Sequence, residues 1–323
     1  MSRSRPGAPA AAPSPAPDRS TGPSRRPNAL LVAGVLLVGM IVALAAFGPA
    51  LAPRDPEARV RILRDAAGQW RTGPFAPLEM PGFPLGTDYD GRDVLSRLLG
   101  AFRPTVAIAL AAGVLRLAAG VALGLGAGWL AGRWGRLAGA LVQGAAAVPL
   151  LIVAVAVLYL GSGERGIGAF VAALCATGWA STALVTSAVV AGIRGQPYVE
   201  AARAAGADEA TIVRRHVLPQ LVELAPMRLA FEVGAALLAL AELGFLGFYL
   251  GGGDTRSVAR GDSSGAWQVI IAGAPDLAQM LSGGWQNFYQ APWLAVWGGG
   301  AFFLAVLAFM LLGEGLRAHL ARR

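Results

Sequence analysis

The chain contains 323 residues, of which 55% are apolar and only 14% are charged. This composition and the positive mean hydropathy are typical of a multispanning membrane protein. The net charge of +8 does not indicate nucleic-acid binding, because the basic residues are spread over tails and loops between the apolar spans.

The first predicted elements are a polar tail and one apolar span. Residues 1–28 are rich in Pro, Ala, Ser and Arg, and they predict a disordered cytoplasmic tail because they cannot bury enough apolar surface to fold. Residues 29–52 predict the first transmembrane helix. Arg25 and Arg26 precede this run as in a signal peptide, but its length and the further spans after it favour an uncleaved helix.

Residues 53–102 predict a first long loop that ends in an interfacial helix. Asp90 can cap a helix whose third residue is Asp93, and an apolar face follows from Val94 onward. A cation site built from Asp88, Asp90 and Asp93 is disfavoured, because their spacing does not match that of an EF-hand loop.

The second predicted span covers residues 105–130 and carries glycines at strict spacings of four. The stripe consists of Gly120, Gly124, Gly128 and, just beyond the span, Gly132. These glycines share one helix face, which predicts close packing on another span or on a partner subunit. A chance pattern in a chain with 44 glycines explains the stripe equally well. Arg116 lies in the same span, where a charge is costly and marks a candidate for lining a pathway.

Four further apolar runs predict the remaining spans. They cover residues 137–160, 167–193, 224–250 and 291–312. The third span contains Pro149, and the fifth carries Glu232 and Glu242. Residues 251–290 predict a second long loop, whose aromatic residues suit a membrane interface.

A polar stretch, residues 198–219, separates the fourth and fifth spans. Pro197 to Ala205 predicts a short helix, which Gly206 ends by taking the left-handed conformation. Asp208 and Glu209 begin a second helix, and the Leu-Pro pair at its end stops that helix. The stretch is therefore predicted to project from the bilayer with an alanine-rich face that another protein can approach closely.

The remaining chemistry-bearing residues predict no catalytic or metal site. Cys175 lies in an apolar span and is interpreted as a packing residue, while His216 and His319 are too far apart in sequence to predict a metal-ligand cluster. All 27 basic residues are arginine, so the chain lacks the lysine of a GxxxxGK[ST] phosphate-binding loop. Any ATP that drives this protein must be hydrolysed by another chain.

The polar stretch resembles the EAA loop of the permease subunits of ABC importers. The matching residues are Glu200, Ala201, Ala202, Gly206, Leu218 and Pro219. The pair Arg215 and His216 is similar to the version of this loop in dipeptide and oligopeptide permeases. The resemblance implies that the loop, including Arg203, docks on a cytoplasmic ATPase; an ordinary amphipathic loop is the alternative.

Two other segments resemble the same permeases. One is the motif before the second span, which has Leu85 where phenylalanine is usual. Its matching residues are Gly86, Thr87, Asp88, Gly91, Arg92, Asp93, Val94, Ser96 and Arg97. The other is the last span, which opens with Ala291-Pro-Trp and closes with Gly-Glu-Gly-Leu before Arg317.

The resemblance implies an all-α integral membrane protein with the six transmembrane helices of the type I, MetI-like permease fold. A five-helix core would cover residues 103–313, with a cytoplasmic coupling loop over 194–222 and a cytoplasmic tail over 314–323. The loops over 53–102 and 251–290 would be extracytoplasmic. Both termini would then lie in the cytoplasm of a bacterial or archaeal cell.

The resemblance also implies a transport subunit that is not itself an enzyme and holds no cofactor. Its partners would be a homologous permease, two cytoplasmic ATPase subunits that bind ATP and Mg²⁺, an extracytoplasmic substrate-binding protein and the lipid bilayer. The solute would be a dipeptide or oligopeptide. Glutathione and nickel chelates stay open as solutes, because the binding protein makes the first selection.

Two other functions are consistent with the residues. An ion-coupled secondary transporter would use Arg116, Glu232 and Glu242 as a proton or ion relay. Transport that persists without ATP but collapses with the ion gradient would indicate it. A membrane receptor would instead bind its ligand without any flux.

Overall fold

The computed structural model describes residues 28–60, 62–64, 69–160, 166–250, 254–258, 267–271 and 275–322. Most of these residues are helical. The helices are α1 (Ala29–Leu51), α2 (Val94–Trp129), α3 (Gly132–Ala147), α4 (Leu150–Leu160), α5 (Ile167–Arg194), α6 (Pro197–Ala204), α7 (Glu209–Ile212), a π-helix (Val213–Val217), α8 (Leu218–Phe245), α9 (Leu277–Gln286) and α10 (Pro292–Leu320). The strands form two antiparallel hairpins, β1 (Ile62–Arg64) with β2 (Trp70–Thr72) and β3 (Asp254–Val258) with β4 (Trp267–Ile271). Of the predicted disordered tail over 1–28, only Asn28 lies within the described residues.

The described helices supply between four and six candidate membrane spans, as the predicted fold class requires. Four stretches are long and apolar enough to cross a membrane on their own, namely α1, α2, the continuous stretch Glu209–Phe245 and α10. Two others qualify as bent pairs: α3 with α4, and the two parts of α5 on either side of a 42° bend. With each bent pair counted as one span, the described part of the chain has six candidate spans in the predicted order.

The third predicted span, residues 137–160, is not one continuous helix. Helix α3 starts earlier than predicted and ends at Ala147, and α4 follows at an angle of 84°. Pro149 lies at the break and cannot donate a backbone N–H to a helix. Its ring also disfavours helical backbone in the preceding residue, and Val148 is extended, with φ −86° and ψ 124°. The predicted span is therefore corrected to two helices joined at this proline.

Helix α2 runs without a break for 36 residues, so no separate interfacial helix precedes the second span. Its N-cap is Asp93, whose side chain accepts a hydrogen bond from the backbone N–H of Ser96 at 3.0 Å. Asp90, the predicted cap, instead pairs with Arg92 at 2.9 Å. The helix starts later than predicted because Gly91, with φ +76°, reverses the chain between the two aspartates.

Helix α2 lies at the centre of the bundle and packs against α5, α8 and α1. Its buried face carries Ile108, Ala109 and Ala112, and the two alanines let the neighbouring helices approach closely. Helix α1 packs on α10, where a Cβ at Gly315 would lie 2.4 Å from the Cα of Leu31. This close contact gives the glycines of the closing segment a packing role.

Candidate functional site

The polar stretch between α5 and α8 folds into a short helix followed by a tight reversal. Pro197 occupies the first turn of α6, where a missing N–H costs nothing. Gly206 has φ +86°, and the backbone N–H of Ala207 donates to the carbonyl of Ala202 at 3.0 Å. This arrangement satisfies the carbonyls at the end of α6 and turns the chain. The predicted helix and its left-handed glycine are confirmed.

One face of this stretch is buried and the other is open. Val199, Ile212 and Val217 are fully buried in a small apolar cluster with Val190 and Ile193 at the end of α5. The opposite face of α6 is exposed. It presents Glu200, Ala201, Arg203, Ala204 and Ala205, with Gly206 beside them. Of the predicted docking residues on α6 and its end, Glu200, Ala201, Arg203 and Gly206 are exposed, whereas Ala202 is half-buried against the apolar cluster.

A solvent-exposed ion pair connects α6 with α7. Arg203 Nε lies 2.8 Å from Glu209 Oε1, and both side chains are largely exposed. The hydrogen bond with Glu209 raises the pKa of Arg203, so the arginine keeps its charge throughout the physiological range. The exposed surface of α6 consequently carries both an acid, Glu200, and a base.

Leu218 and Pro219 do not end the second helix, contrary to the prediction. The chain passes from α7 through the π-helix into α8 as one continuous stretch from Glu209 to Phe245. Pro219 lies in the first turn of α8, and the wider π turn just before it accommodates the missing N–H. Arg215 and His216 lie in this π turn, and the rings of His216 and Tyr198 are 5.6 Å apart.

The motif before the second span forms a folded turn. Gly86 has φ +80°, and the buried Thr87 accepts a hydrogen bond from the backbone N–H of Phe75 at 2.9 Å. The carboxylate of Asp88 accepts the backbone N–H of Arg92 at 2.8 Å. Arg92 is itself buried and pairs with Asp90. The acids of the motif are thus engaged by arginine and backbone donors, and no metal-ligand cluster occurs among the described residues.

Arg97 joins this motif to two other parts of the chain. Its guanidinium lies 3.3 Å from Glu57 in the first loop, 3.5 Å from Asp88 and 2.6 Å from Gln279 at the start of α9. Burial raises the pKa of Asp88, although the charge of Arg97 opposes that rise. The motif therefore holds the first loop, α2 and α9 together at one end of the bundle.

Asp276 is a buried helix cap that the sequence interpretation missed. Its side chain caps α9 by accepting the backbone N–H of Gln279 at 2.8 Å. Burial raises its pKa to about 7, despite hydrogen bonds from backbone N–H groups. An aspartate three residues before a glutamine, ahead of an apolar run, is the sequence signal that could have predicted this cap.

Three of the four glycines in the stripe lie where α2 crosses α5. A Cβ at Gly120 would lie 2.6 Å from the Cβ of Thr182, and one at Gly124 would lie 2.6 Å from the carbonyl of Ala183. Gly128 is equally close to the next turn of α5. Gly132 is different: it begins α3 with φ +66° and has no atom within 4 Å of its Cβ position, so it is no part of this contact. The partner of the stripe is α5 of the same chain.

The structure brings together only two of the three charged residues proposed as a relay. Arg116 and Glu232 are both buried and form an ion pair at 3.0 Å. Glu242 lies ten positions further along α8 and is exposed. A continuous relay through these three side chains is therefore not assembled.

The fold and this site define a multispanning membrane protein with an exposed loop between two of its spans. The sequence profile of the binding-protein-dependent transport system inner membrane component matches residues 120–323. The chain is 32% identical to the di/tripeptide transport system permease protein of Pseudomonas aeruginosa, over 96% of this chain and 94% of the relative. It is 29% identical to a glutathione transport system permease protein of Pectobacterium atrosepticum, over 88% and 84% of the two chains. It is 27% identical to the dipeptide transport system permease protein of Bacillus subtilis, over 90% and 81%.

The chain belongs to the family of binding-protein-dependent transport system inner membrane components. The resemblance drawn from the EAA loop and from the two other segments is thereby confirmed. The family consists of transport components, which agrees with a chain that moves a solute and does no chemistry on it.

Proposed function

We propose that this chain is a permease subunit of an ATP-driven importer of dipeptides or oligopeptides. The observation that carries the proposal is the exposed face of α6, held firmly between two membrane helices. Val199 on the buried face fixes α6 to the bundle, while Glu200 and the alanines face outward. A short helix of small residues lets a partner backbone approach closely, as a docking element requires.

In this proposal the exposed face of α6 docks on a cytoplasmic ATPase. Glu200 and the alanines contact the ATPase, and Gly206 sets the angle at which α6 meets the rest of the loop. Because α5 and α8 continue directly from the loop, a displacement of α6 moves both spans. The loop therefore converts closure of the ATPase pair into a rearrangement of the membrane helices.

The remaining partners follow from the same proposal. A second, homologous permease completes the translocation pathway, two ATPase subunits bind ATP and Mg²⁺, and an extracytoplasmic binding protein delivers the solute. The nucleotide is assigned to the ATPase subunits because this chain has no lysine for a GxxxxGK[ST] phosphate-binding loop. Both termini and the loop between α5 and α8 lie in the cytoplasm of a bacterial or archaeal cell. The motif of residues 86–97 lies on the extracytoplasmic side of the membrane.

The names of the relatives support a peptide as the solute. Two of them transport dipeptides or tripeptides, and one transports glutathione, which is itself a small peptide. No comparison favours the ion-coupled transporter, and the charged residues that it needs are not assembled. A small peptide is therefore the solute class of this proposal.

The test is a pulldown of the full chain from its native membrane in mild detergent. We expect an ATPase subunit to co-purify with the native chain and to be lost with Glu200→Ala. Glu314→Ala is the matched control, because Glu314 is also exposed and lies in α10 away from the loop. Recovery of the intact native chain without any ATPase would contradict the proposal, and retention of the ATPase by Glu200→Ala would place the docking surface elsewhere.

A further inference from the structure

Three membrane helices meet around a buried pair of opposite charges. Nε of Arg116 in α2 lies 3.0 Å from Oε2 of Glu232 in α8, and the two side chains are 4% and 7% exposed. Ser181 and Thr182 of α5 donate their hydroxyls to the other carboxylate oxygen, Ser181 at 3.1 Å. One carboxylate therefore joins α2, α5 and α8 at a single point.

The neighbouring backbone leaves space for this arginine. A Cβ at Gly178 in α5 would lie 2.2 Å from Nε of Arg116, so a larger residue there would displace this guanidinium. The 42° bend of α5 lies next to this glycine. One turn before Arg116, a Cβ at Gly113 would lie 2.7 Å from Cγ2 of Val233, so α2 and α8 also touch closely. The charged pair thus occupies a site that the surrounding glycines shape.

Helix packing alone does not account for these charges. A buried ion pair loses hydration that its mutual attraction barely offsets, and apolar residues of similar volume often stabilise a protein as well or better. Ionisable residues within a membrane span are costly and mark functional positions. The role of Arg116 and Glu232 must therefore use what an apolar cluster lacks, which is a directional connection between particular helices.

Two helices connect the junction formed by Arg116 and Glu232 to the loop between α5 and α8. Helix α5 leads into the loop, and α8 leaves it. Glu232 lies about four turns along α8 from Leu218, and the hydroxyls that bind it lie in the half of α5 nearer the loop. A displacement of the loop consequently reaches the junction along both helices.

We propose that Arg116 and Glu232 are positioning residues that make α2 move together with α5 and α8 when the loop is displaced. The inference rests on the proposed function and adds the residues through which the loop acts on the rest of the bundle. Without the pair, only the close packing of α2 on α5 and α8 remains, and α2 follows their movement less completely. ATP hydrolysis then continues with little transport.

The test compares two double variants. One removes the two charges of the junction, and the other, a control, removes an ion pair elsewhere in the chain. The variant Arg116→Met with Glu232→Gln deletes both charges, and the new amide can still accept the two hydroxyls of α5. The matched control is Arg317→Met with Glu314→Gln, an exposed ion pair of 2.8 Å on α10. Transporters are purified from the native membrane with their co-purifying subunits and reconstituted in vesicles. The readouts are the melting temperature, the rate of ATP hydrolysis and the ATP consumed per molecule of labelled alanyl-alanine taken up.

We expect the junction variant to assemble and to hydrolyse ATP, with the ATP consumed per dipeptide raised at least about fivefold, within the range over which single positions modulate coupling. The control should keep the native ratio. An unchanged ratio in the junction variant would overturn the inference. Failure of that variant to insert or assemble would also overturn it, since the pair would then serve folding alone. A native preparation that contains no ATPase subunit and takes up no dipeptide would refute the proposed function itself, and this inference with it.

Discussion

Arg97 and Gln279, which are 182 positions apart in the sequence, are joined by a hydrogen bond of 2.6 Å from Nη2 of the arginine to Oε1 of the amide. Gln279 lies in the first turn of α9, and Arg97 lies in the first turn of α2. The same guanidinium contacts Glu57 and Asp88. The last arginine of the motif before the second span therefore fixes α9 against the bundle and against the first loop.

Replacing Arg97 by methionine should lower the free energy of unfolding by about 3–5 kcal/mol, the usual cost of removing one partner from a buried ion pair. The loss has two sources: Asp88 keeps a buried charge with less compensation, and Gln279 loses its donor. Arg103→Met is the matched control, because Arg103 lies in the same helix but is exposed. Thermal unfolding of the two variants in detergent measures the difference. Equal melting temperatures for both would contradict the structural role of Arg97.

The stability of the protein should depend on the protonation of Asp276. Its pKa is about 7 in the folded protein, against 3.8 for an unperturbed aspartate. Between these values the folded chain retains a proton that the unfolded chain has lost. The free energy of unfolding therefore falls by up to about 4 kcal/mol as the pH rises from about 4 to about 7. Above pH 7 Asp276 is ionised in both the folded and the unfolded chain, and it no longer contributes to the pH dependence.

Asp276→Asn tests this dependence, because asparagine also caps helices well and cannot ionise. We expect the variant to show a smaller fall in melting temperature between pH 5 and pH 8 than the native protein. Asp55→Asn is the control: Asp55 is exposed and also accepts a backbone N–H, that of Glu57 at 2.9 Å. A native-like pH profile in the Asp276 variant would contradict the assignment of the proton to this carboxyl group.

The contact between α2 and α5 should depend on Gly120. Alanine at this position would place its Cβ 2.6 Å from the Cβ of Thr182, so the two helices must separate. Such overpacking costs about 1–3 kcal/mol. Gly192→Ala is the matched control in α5, where no atom lies within 4 Å of the Cβ position and alanine should be neutral or slightly stabilising. Melting temperatures in detergent compare the two, and an unchanged value for Gly120→Ala would show that the helices can separate at little cost.

The number and order of the spans could be predicted from the sequence, because apolar runs of about 20 residues reflect the thickness of the bilayer. The prolines were harder to interpret. Pro149 breaks its span, whereas Pro219 lies in a helix that continues, because a π turn before it accommodates the missing N–H. Which outcome occurs depends on the tertiary packing around each proline, and no local pattern in the sequence determines it.

The exposed face of α6 could also be predicted, since a short helix, a left-handed glycine and an alanine-rich surface follow from local residues. The pairing of Arg116 with Glu232 could not. These residues lie on α2 and α8, and hydrophobic periodicity does not determine which helix faces of a membrane bundle meet. Both Asp90 and Asp93 fit the pattern of a helix cap. The structure separates them by the reversal at Gly91 and by the pairing of Asp90 with Arg92.

The conformation of Gly206 should govern the activity of the whole transporter. Its φ of +86° lies in the left-handed region, which asparagine adopts more readily than alanine and which β-branched residues avoid. Transport should therefore decrease in the order Gly206, Gly206→Asn, Gly206→Ala and Gly206→Val, because each change strains the reversal further and shifts α6 on its partner. Strain of this kind amounts to about 1–3 kcal/mol.

Gly195→Ala is the control, since Gly195 has an ordinary φ of −84° and no atom closer than 3.9 Å to its Cβ position. Uptake of labelled dipeptide by reconstituted transporter measures the series, and equal uptake by the asparagine and valine variants would show that the left-handed turn is not what positions α6.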